Sequence, residues 1–307
     1  MGKRLGLVGL CVVLSVLGAP TTSHAANGAP TLGGCQVFPS DNPWNEDVSS
    51  LPVRPDSAAL IASISAFGHT NLHPDFGHNL RNGIPFNVVP STQALVPINY
   101  TAYGDESDPG PFPIPKRPKV EGGSDHHVLV LQQGTCRLFE LFAAHHHGKG
   151  WNAGSGATWD LSSNALRPLG WTSADAAGLQ ILPGLVRYDE VASGHIDHAL
   201  RFTVDRSQRG YILPATHFAS SSSDPTLPPM GLRLRLKASF DLSPYSGPVL
   251  VILQALKTYG MIVADNGGSW FISGAPDRRW NDTELHTITS VPGSAFEAVD
   301  TGPAHTG

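Results

Sequence analysis

Histidine is the first residue type in this sequence that points to chemistry, since 14 histidines are present among 307 residues. His127, His198 and His217 each lie in or directly after a segment that alternates like a β-strand. A neutral imidazole is the commonest protein ligand for transition metals, and it titrates near neutral pH. If folding brings these strands together, the three side chains would bind a divalent metal and support hydrolysis or oxidation. The alternative is that each histidine is a hydrogen-bonded structural residue, because no close-spaced His-x-His motif with a following glutamate is present.

Carboxylates form the second set of candidates. Glu190 ends the charged stretch Arg187–Glu190, and Asp265 directly follows an apolar strand. Two carboxyl groups that face one cleft can act as general acid and base, or as acid and nucleophile, on a glycosidic bond. We therefore expect Glu190 and Asp265 to be the acid and base of a glycoside hydrolase or polysaccharide lyase, with His198 and His217 as alternatives or neighbours. A surface ion pair for Glu190 and a turn-forming role for Asp265 stay open.

Tryptophans close to small polar residues indicate a sugar as the substrate. Trp171 is followed by Thr, Ser, Ala and Asp175, and Trp270 is preceded by Asn, Gly, Gly and Ser. Planar aromatic faces beside hydroxyl and amide groups suit sugar rings, so Trp171, Asp175 and Trp270 are predicted to bind substrate. Arg187 and Arg201 would hold an acidic sugar. The alternative is that the tryptophans fill the core of a β-sandwich.

The charge balance and the absence of several motifs exclude other function classes. The chain has 20 Lys and Arg against 25 Asp and Glu and a formal charge of −5, without a basic run. It has no electrostatic reason to bind nucleic acid or an anionic membrane. No Gly-x-Ser-x-Gly elbow, Walker loop or dinucleotide fingerprint is present. Three hypotheses remain: an enzyme that cleaves a polysaccharide or oligosaccharide, a non-catalytic glycan-binding or surface-adhesion module, and a metal-dependent hydrolase or oxidase. No cofactor is firmly implied, although the third hypothesis needs a divalent metal.

Residues 1–25 are predicted to be a signal peptide, which makes the protein a secreted one. Lys3 and Arg4 precede the apolar run Leu5–Leu17, and Ser23 and Ala25 are the small residues that a signal peptidase requires. The run is shorter than the ~20 residues of a membrane span, and no later segment is long and apolar enough to be one. Loss of Lys3 and Arg4, and of no acid, takes the formal charge from −5 to −7.

Two cysteines, Cys35 and Cys136, remain after the leader is removed. In an exported chain, two cysteines most economically form one disulfide. The bridge would close a loop of about 100 residues, for which the chain-entropy model gives a stabilisation of roughly 4–5 kcal/mol. A Cys-x-x-Cys pattern is absent, so we predict a structural bridge.

Short alternating segments predict the elements that must position these residues. His127–Leu131 and Cys136–Phe142 flank a turn that contains glycine and predict a hairpin. Leu232–Phe240 alternates basic and apolar residues, as in an antiparallel sheet with one face in water. Pro248–Tyr259 has the apolar stripe of a helix. We expect a mainly β fold, an antiparallel β-sandwich or jelly roll with one or two helices. Its parts are a flexible leader at 26–34, a single β-rich domain at 35–299 and a flexible tail at 300–307.

Eight stretches of the sequence are distinctive in composition: Leu72–Gly77, Asp105–Pro111, Glu121–Gly123, His127–Val130, Gly170–Leu179, Pro183–Val191, His198–Phe202 and Tyr259–Gly267. Through them the chain, from Asn42 to Glu297, resembles a group of secreted microbial proteins to which no activity is assigned. The resemblance covers nearly the whole predicted mature chain and implies export and a single folded unit. It implies no catalytic residue, cofactor or substrate.

Overall fold

The computed structural model describes residues 1–2 and 28–306. The predicted signal peptide lies outside these residues, apart from Met1 and Gly2. None of the helices within the described ranges combines the length and the apolar character that crossing a bilayer needs.

Strands predominate over helices in the described chain, and the predicted mainly β fold is confirmed, with 26% strand against 16% helix. The strands are β1 (Thr31–Leu32), β2 (Cys35–Gln36), β3 (His73–Asp75), β4 (Phe86–Val89), β5 (Ile98–Tyr100), β6 (Val128–Gln132), β7 (Arg137–Phe142), β8 (His145–His147), β9 (Gly150–Ala153), β10 (Ser155–Asp160), β11 (Leu200–Val204), β12 (Gly210–Tyr211), β13 (Arg233–Leu236), β14 (Met261–Asn266), β15 (Phe271–Ser273), β16 (Phe296–Ala298) and β17 (His305–Thr306). The helices are α1 (Ser57–Ser65), α2 (Tyr188–Ser193), α3 (Gly247–Thr258) and α4 (Asp282–His286), and short 3₁₀ helices lie at Gly104–Glu106, Leu182–Gly184, Thr287–Ser290 and Gly293–Ala295.

Two larger sheets carry the fold, and three smaller ones flank them. The six-stranded sheet has the order β16-β13-β14-β11-β15-β3, and the four-stranded sheet has the order β10-β7-β6-β4. Three pairs in them are parallel, namely β11 with β14, β15 with β3 and β4 with β6. Two parallel neighbouring strands must be joined by a crossover connection. The alternation of apolar and polar residues within one strand does not show how that strand is connected to the next. Most pairs are antiparallel and the arrangement is consistent with the predicted β-sandwich, although these sheets are mixed and the described chain has four α-helices, more than the one or two expected.

Strand β6 separates two hydrophobic cores. Leu129 and Leu131 pack into the main core, which also takes side chains from the six-stranded sheet and from α1 and α3. Val128 and Val130 face the other way, into a smaller core with Phe112 and its neighbours. Successive side chains of a strand point to opposite faces, so a strand such as β6, which is apolar from Val128 to Leu131, requires cover on both sides. The four-stranded sheet is thus the middle layer of the molecule.

Helix α3 is where the sequence pattern and the structure agree most closely. Ser246 precedes it in extended conformation, and a proline lies in its first turn, where a missing N–H is tolerated. The buried stripe includes Val249, Ile252, Leu253 and Leu256. The helix ends before Gly260, which has φ +66°, and a Cβ there would lie 2.1 Å from the carbonyl oxygen of Leu234. Glycine is therefore required where the chain turns from α3 into β14.

Short segments near both ends of the folded chain, at 31–32 and 305–306, pair with other strands. Thr31–Leu32, in the expected leader, forms a hairpin with Cys35–Gln36. In the tail, His305 pairs with Tyr211 of β12 and its ring stacks on the tyrosine at 5.3 Å between centroids. Two residues of each segment thus take part in strand pairing, through backbone hydrogen bonds.

The predicted disulfide between Cys35 and Cys136 is present, with the two Cα atoms 5.4 Å apart. It links β2 to the start of β7 across 101 residues. The proline-rich arm from Asp108 to Pro118 lies inside this loop, and Phe112 of the arm is buried in the smaller core. The arm is therefore packed into the smaller core, and it is part of the covalent loop that the disulfide closes.

Replacing both Cys35 and Cys136 by serine should lower the free energy of unfolding by about 2–5 kcal/mol, because the unfolded chain regains the entropy of a long loop. Urea unfolding of the two proteins at equal pH measures the difference. Adding a reductant should lower the midpoint of the native protein and leave that of the variant unchanged. Equal midpoints for the oxidised protein and the variant would contradict this role.

Candidate functional site

Asp265 reaches the candidate site because of a β-bulge in β14. In the parallel pair of β11 and β14, Arg201 lies opposite Ile262, but the register shifts after Phe202, so that Thr203 lies opposite Asp265 and Ala264 is the extra residue. Residues in register on neighbouring strands share a face of the sheet. The bulge therefore moves Asp265 from the face of Phe202 to the face of Arg201. Bulges re-aim side chains in this way beside active sites.

The guanidinium of Arg201 is the centre of a buried charge network. Its Nε and Nη2 donate to the two carboxylate oxygens of Asp175 at 3.1 Å each, and Nη2 also donates to Oδ2 of Asp265 at 3.2 Å. Its Nη1 donates to Oγ of Ser273 at 2.7 Å. The side chain of Arg201 is 4% exposed and that of Asp175 is 0% exposed. Every nitrogen of the guanidinium is engaged within the protein, and the role of Arg201 in holding an acidic sugar stays a prediction.

Burial in this network raises the pKa of both aspartates. Burial raises the pKa of Asp265 to about 6, with the charge of Arg201 opposing the rise and that of Asp175 adding to it. Burial also raises the pKa of Asp175, against the attraction of Arg201. The site thus combines a constant positive charge with a carboxyl group, Asp265, that exchanges its proton near pH 6.

A cavity of about 300 Å³ opens beside Asp265. It lies where the ends of β7 and β14 meet the segment 171–182, and we call it the polar cavity. Hydroxyl, amide, imidazole and carboxyl groups dominate its walls, as in a site that orients a small polar ligand. The polar residues that line it are Tyr103, Asp125, Ser155, Thr172, Ser173, Asp175, His217, Asp265 and Asn266.

His217 presents one basic nitrogen. Its Nδ1 lies 2.8 Å from the carbonyl oxygen of Ala176. Because a carbonyl oxygen only accepts hydrogen bonds, Nδ1 must carry the proton, and Nε2 of the neutral ring is an acceptor. The ring also stacks on Phe218 at 5.4 Å between centroids, which fixes its plane. His217 is therefore oriented as a proton acceptor in the same cavity that holds the carboxyl group of Asp265.

Segment 171–182, which forms one wall of the polar cavity, is held by carboxylates at both ends. Glu106 accepts a hydrogen bond from the N–H of Thr172 at 2.8 Å. Glu140, which is fully buried, accepts from the N–H groups of Ile181 and Leu182 at 3.0 and 2.9 Å. Burial raises the pKa of Glu140 to about 7, although these two N–H groups lower it. Glu140 thus positions the wall without touching the cavity itself.

His127 forms an ion pair behind the cavity. Its Nδ1 lies 2.7 Å from Oε2 of Glu121, and its Nε2 lies 3.0 Å from the carbonyl oxygen of Ala174. Burial would lower the pKa of His127, but the hydrogen bond and the charge of Glu121 raise it. The ring therefore donates from both nitrogens, and it anchors Ala174, the residue before Asp175, to the start of β6.

The described residues contain one group of three potential metal ligands, Glu121, Asp125 and His127, whose ligand atoms lie within 4.8 Å of one another. A metal needs an unprotonated ring nitrogen, and both nitrogens of His127 donate to oxygen atoms. The group therefore fits an ion pair better than a metal. The histidines expected to share a metal do not come together among the residues that the structure describes: His198 bonds Glu190, and His217 bonds Ala176.

Glu190 lies in a different cavity from Asp265. Its two oxygens contact Nη2 of Arg187 and, at 3.2 Å, Nε2 of His198, which is 1% exposed. Burial would raise the pKa of Glu190, but the charges of Arg187 and His198 lower it. Arg187 and Glu190 line a cavity of about 330 Å³ that shares no lining residue with the polar cavity. The expected acid and base are thus not brought together, and Glu190 is bound to Arg187 and His198.

The two tryptophans predicted to bind sugar differ in position. Trp171 is half-buried at the start of segment 171–182, and the guanidinium carbon of Arg167 lies 5.6 Å from its ring centroid. Trp270 is fully buried, stacks on Phe202 and donates from Nε1 to Oγ of Ser65 at 3.2 Å. Trp270 belongs to the main core and has no ring face for a ligand.

Several residues of the candidate site stand out in the sequence although they belong to no recognised motif. Glu140 is the one acid in a strand that is otherwise apolar after its first residue, and Asp125 with Glu121 flanks the predicted strand that begins at His127. A lone carboxylate in a buried strand must have hydrogen-bond donors waiting for it. Nothing in the sequence says which segment supplies those donors.

Substituting Glu140 with glutamine should remove a pH dependence of stability. Because its folded pKa is above its ordinary 4.5, the native state holds the proton that the unfolded state releases, and stability falls as pH rises from about 4.5 to about 7. The loss for the native protein should exceed that of Glu140→Gln by about 3 kcal/mol over this interval. Urea unfolding at pH 4.5 and pH 7.5 measures it, and parallel curves for the two proteins would disprove the account.

Arg201→Met should destabilise the protein by about 3–5 kcal/mol, because it leaves the buried charge of Asp175 without its partner. The matched control is Arg137→Met, since Arg137 is exposed at the start of β7; its effect should stay within about 0.5 kcal/mol. Thermal and urea unfolding of both variants provide the comparison. Equal stability of the two variants would show that the ion pair contributes nothing.

No protein-family model matches the chain, and no match was found among curated proteins or solved structures. The function must therefore be argued from the chemistry of the polar cavity itself.

Proposed function

We propose that the protein is a secreted carbohydrate-active enzyme that hydrolyses a glycosidic bond in the polar cavity, with Asp265 as general acid and His217 as general base. One observation carries the proposal: Asp265, whose carboxyl pKa is raised to about 6 by burial, and His217, whose Nδ1 bonds the carbonyl oxygen of Ala176, line the same cavity. A carboxyl group that gives a proton and an imidazole nitrogen that accepts one are what acid and base catalysis requires. Export is supported by the leader pattern at residues 1–25 and fits the disulfide.

The proton transfers balance as a hydrolysis. Asp265 gives its proton to the glycosidic oxygen as the bond between that oxygen and the anomeric carbon breaks. A water molecule attacks the anomeric carbon and gives its proton to Nε2 of His217. Arg201 stabilises the carboxylate that Asp265 becomes, through the contact of 3.2 Å. One water is consumed, and each product carries a hydroxyl group.

The raised pKa gives Asp265 its value as an acid. At pH 6 about half of the Asp265 side chains are protonated, whereas an ordinary aspartate would be protonated to about 1%. The charge of Arg201 limits the rise, so that the proton is still released readily. A catalytic acid works best when its pKa lies near the working pH.

Asp265→Asn and His217→Gln should each lower kcat by about 10²–10⁴ without unfolding the protein, since each removes one proton transfer. For the native enzyme, kcat/KM should fall as pH rises through about 6, where Asp265 loses its proton, and this limb should be lost in Asp265→Asn. The assay is mass spectrometry of soluble products from a panel of polysaccharides, in which hydrolysis adds one water per bond. Asp160→Asn is the control, because Asp160 is exposed and bonds only its own turn.

Glu190→Gln distinguishes the two cavities. The proposal expects this variant to keep the native pH profile, because Glu190 lines the other cavity. Loss of product with Glu190→Gln but not with Asp265→Asn would move the reaction to the cavity of Arg187 and Glu190. Tight binding of a polysaccharide by the native protein, with no product at any pH between 4 and 8, would replace hydrolysis with a non-catalytic glycan-binding role.

A further inference from the structure

A groove of about 750 Å³ lies next to the polar cavity and has more than twice its volume. Helix α1, with Phe67 beyond its end, forms one wall, and residues of the segment 205–227 form the other. The α1 wall consists of small side chains, including Ala62, which is exposed. Nothing bulky therefore blocks access from this side.

Ser207 in this groove is a buried hydroxyl group without a partner. The residue is 1% exposed, and its Oγ forms no hydrogen bond with the described part of the chain. Buried hydroxyl groups in native proteins are nearly always hydrogen-bonded, because leaving one unpaired destabilises the folded state. Ser207 lines the groove although its Oγ is buried, so a turn of its side chain towards the groove would bring the hydroxyl group to a ligand with hydrogen-bonding groups of its own.

The groove and the polar cavity meet at Asn266. This residue lines both spaces, and it directly follows Asp265 in β14. Its side chain donates to the carbonyl oxygen of Ala219 at 3.2 Å, and Ala219 lines the polar cavity too. A ligand that extends out of the polar cavity past Asn266 would enter the groove.

The groove also offers a planar group, the guanidinium of Arg206. Its carbon lies 3.9 Å over the ring centroid of Phe67, so it covers that face of the ring, and the Arg206 side chain is itself exposed. The hydroxyl groups of Ser222 and Thr226 belong to the opposite wall. A planar surface beside hydroxyl groups suits a sugar ring, which offers an apolar face and a polar edge.

The charges favour a substrate without acidic groups. The arginines here already contact carboxylates of the protein: Arg201 binds Asp175 and Asp265, and Arg206 lies 3.6 Å from Asp205. One arginine and no lysine line the two spaces, against five carboxyl groups: Asp125, Asp175, Asp205, Asp224 and Asp265. A polyuronate would meet net repulsion along the whole path.

We propose that the groove binds successive units of a linear, non-acidic glycan chain whose cleaved linkage lies in the polar cavity, with the hydroxyl group of Ser207 as a chain-binding group. This inference rests on the proposed function for the position of the cleaved linkage. Binding of the glycan in the groove does not depend on hydrolysis, because it follows from the residues that line the groove. The protein therefore prefers long substrates to short ones.

Binding is measured with Asp265→Asn as the background, so that turnover plays no part. The probes are hexamers and dimers of β-1,4-glucan, β-1,3-glucan and β-1,4-linked N-acetylglucosamine, and a hexamer of galacturonate, titrated calorimetrically. At least one uncharged hexamer should bind at least tenfold more tightly than its dimer, and the galacturonate hexamer should not bind. No binding by any uncharged hexamer, equal affinity for hexamer and dimer, or tightest binding of galacturonate overturns the proposal.

Two pairs of variants locate the chain. Ala62→Trp fills the groove and should abolish the advantage of the hexamer, whereas Ala58→Trp, exposed on the same helix but outside the groove, should keep it. Ser207→Ala should weaken hexamer binding about threefold to tenfold, with a melting temperature equal to or above that of the background. Ser221→Ala, exposed and outside the lining, is its control. Equal binding by Ala62→Trp and Ala58→Trp, or a lowered melting temperature for Ser207→Ala with unchanged binding, overturns the assignment.

The two proposals fail separately. Hexamer binding that Ala62→Trp abolishes, with no product from the native protein, leaves the groove assignment standing and removes the hydrolase. Products that form at equal rates in the Ala62→Trp and Ala58→Trp proteins, both with native Asp265, leave the hydrolase standing and remove the groove.

Discussion

The ion pair between Asp175 and Arg201 is the interaction on which the geometry of the site depends. A charge is tolerated inside a protein only when an opposite charge and hydrogen bonds compensate for the lost water. Arg201 lies on β11, and the groups it binds lie on β14, on β15 and in the segment 171–182. One guanidinium thus fixes three adjacent strands and one wall of the polar cavity relative to one another. A shift of β11 relative to the segment 171–182 would leave the buried charges of Arg201 and Asp175 apart.

The same exclusion of water sets the protonation of the site. Burial raises the pKa values of both Asp265 and Glu140; Glu140 is fully buried, whereas the side chain of Asp265 is partly exposed where it lines the cavity. Asp265 lines the polar cavity, and Glu140 holds the segment 171–182, which forms one of its walls. Access of water to the interior would therefore change both the pKa of Asp265 and the position of this wall. Catalytic groups whose pKa values depend on burial in this way need rigid surroundings.

The sequence allowed prediction of features that local patterns determine. The stripe of α3, the hairpin of β6 and β7 and the pairing of two cysteines follow from spacing and count, and all are present. Asp265 was named from its position after an apolar strand, but its neighbours depend on the bulge at Ala264, which reverses the face of every later residue in β14. Alternation along a strand carries no sign of such a shift.

Crossover connections and burial explain the other differences. Glu190 and Asp265 lie in separate cavities because each strand's place in the sheet is set by long-range pairing, which no spacing in the sequence records. Trp270 resembled a sugar-binding residue because glycine and serine precede it. These small residues instead accompany a tight turn in which Trp270 itself has φ +69°, and its ring turns into the core.

The order of the strands has a consequence for how the molecule assembles. All strands of the four-stranded sheet fall between Phe86 and Asp160, so this sheet forms from one continuous part of the chain. Strand β3 has a single partner, β15, which follows almost 200 residues later. Contacts across such separations form slowly, because a long loop must be ordered first. A chain that emerges from its N-terminus completes the middle layer early and the six-stranded sheet last. The polar cavity, which takes walls from both, exists only when nearly the whole chain is in place.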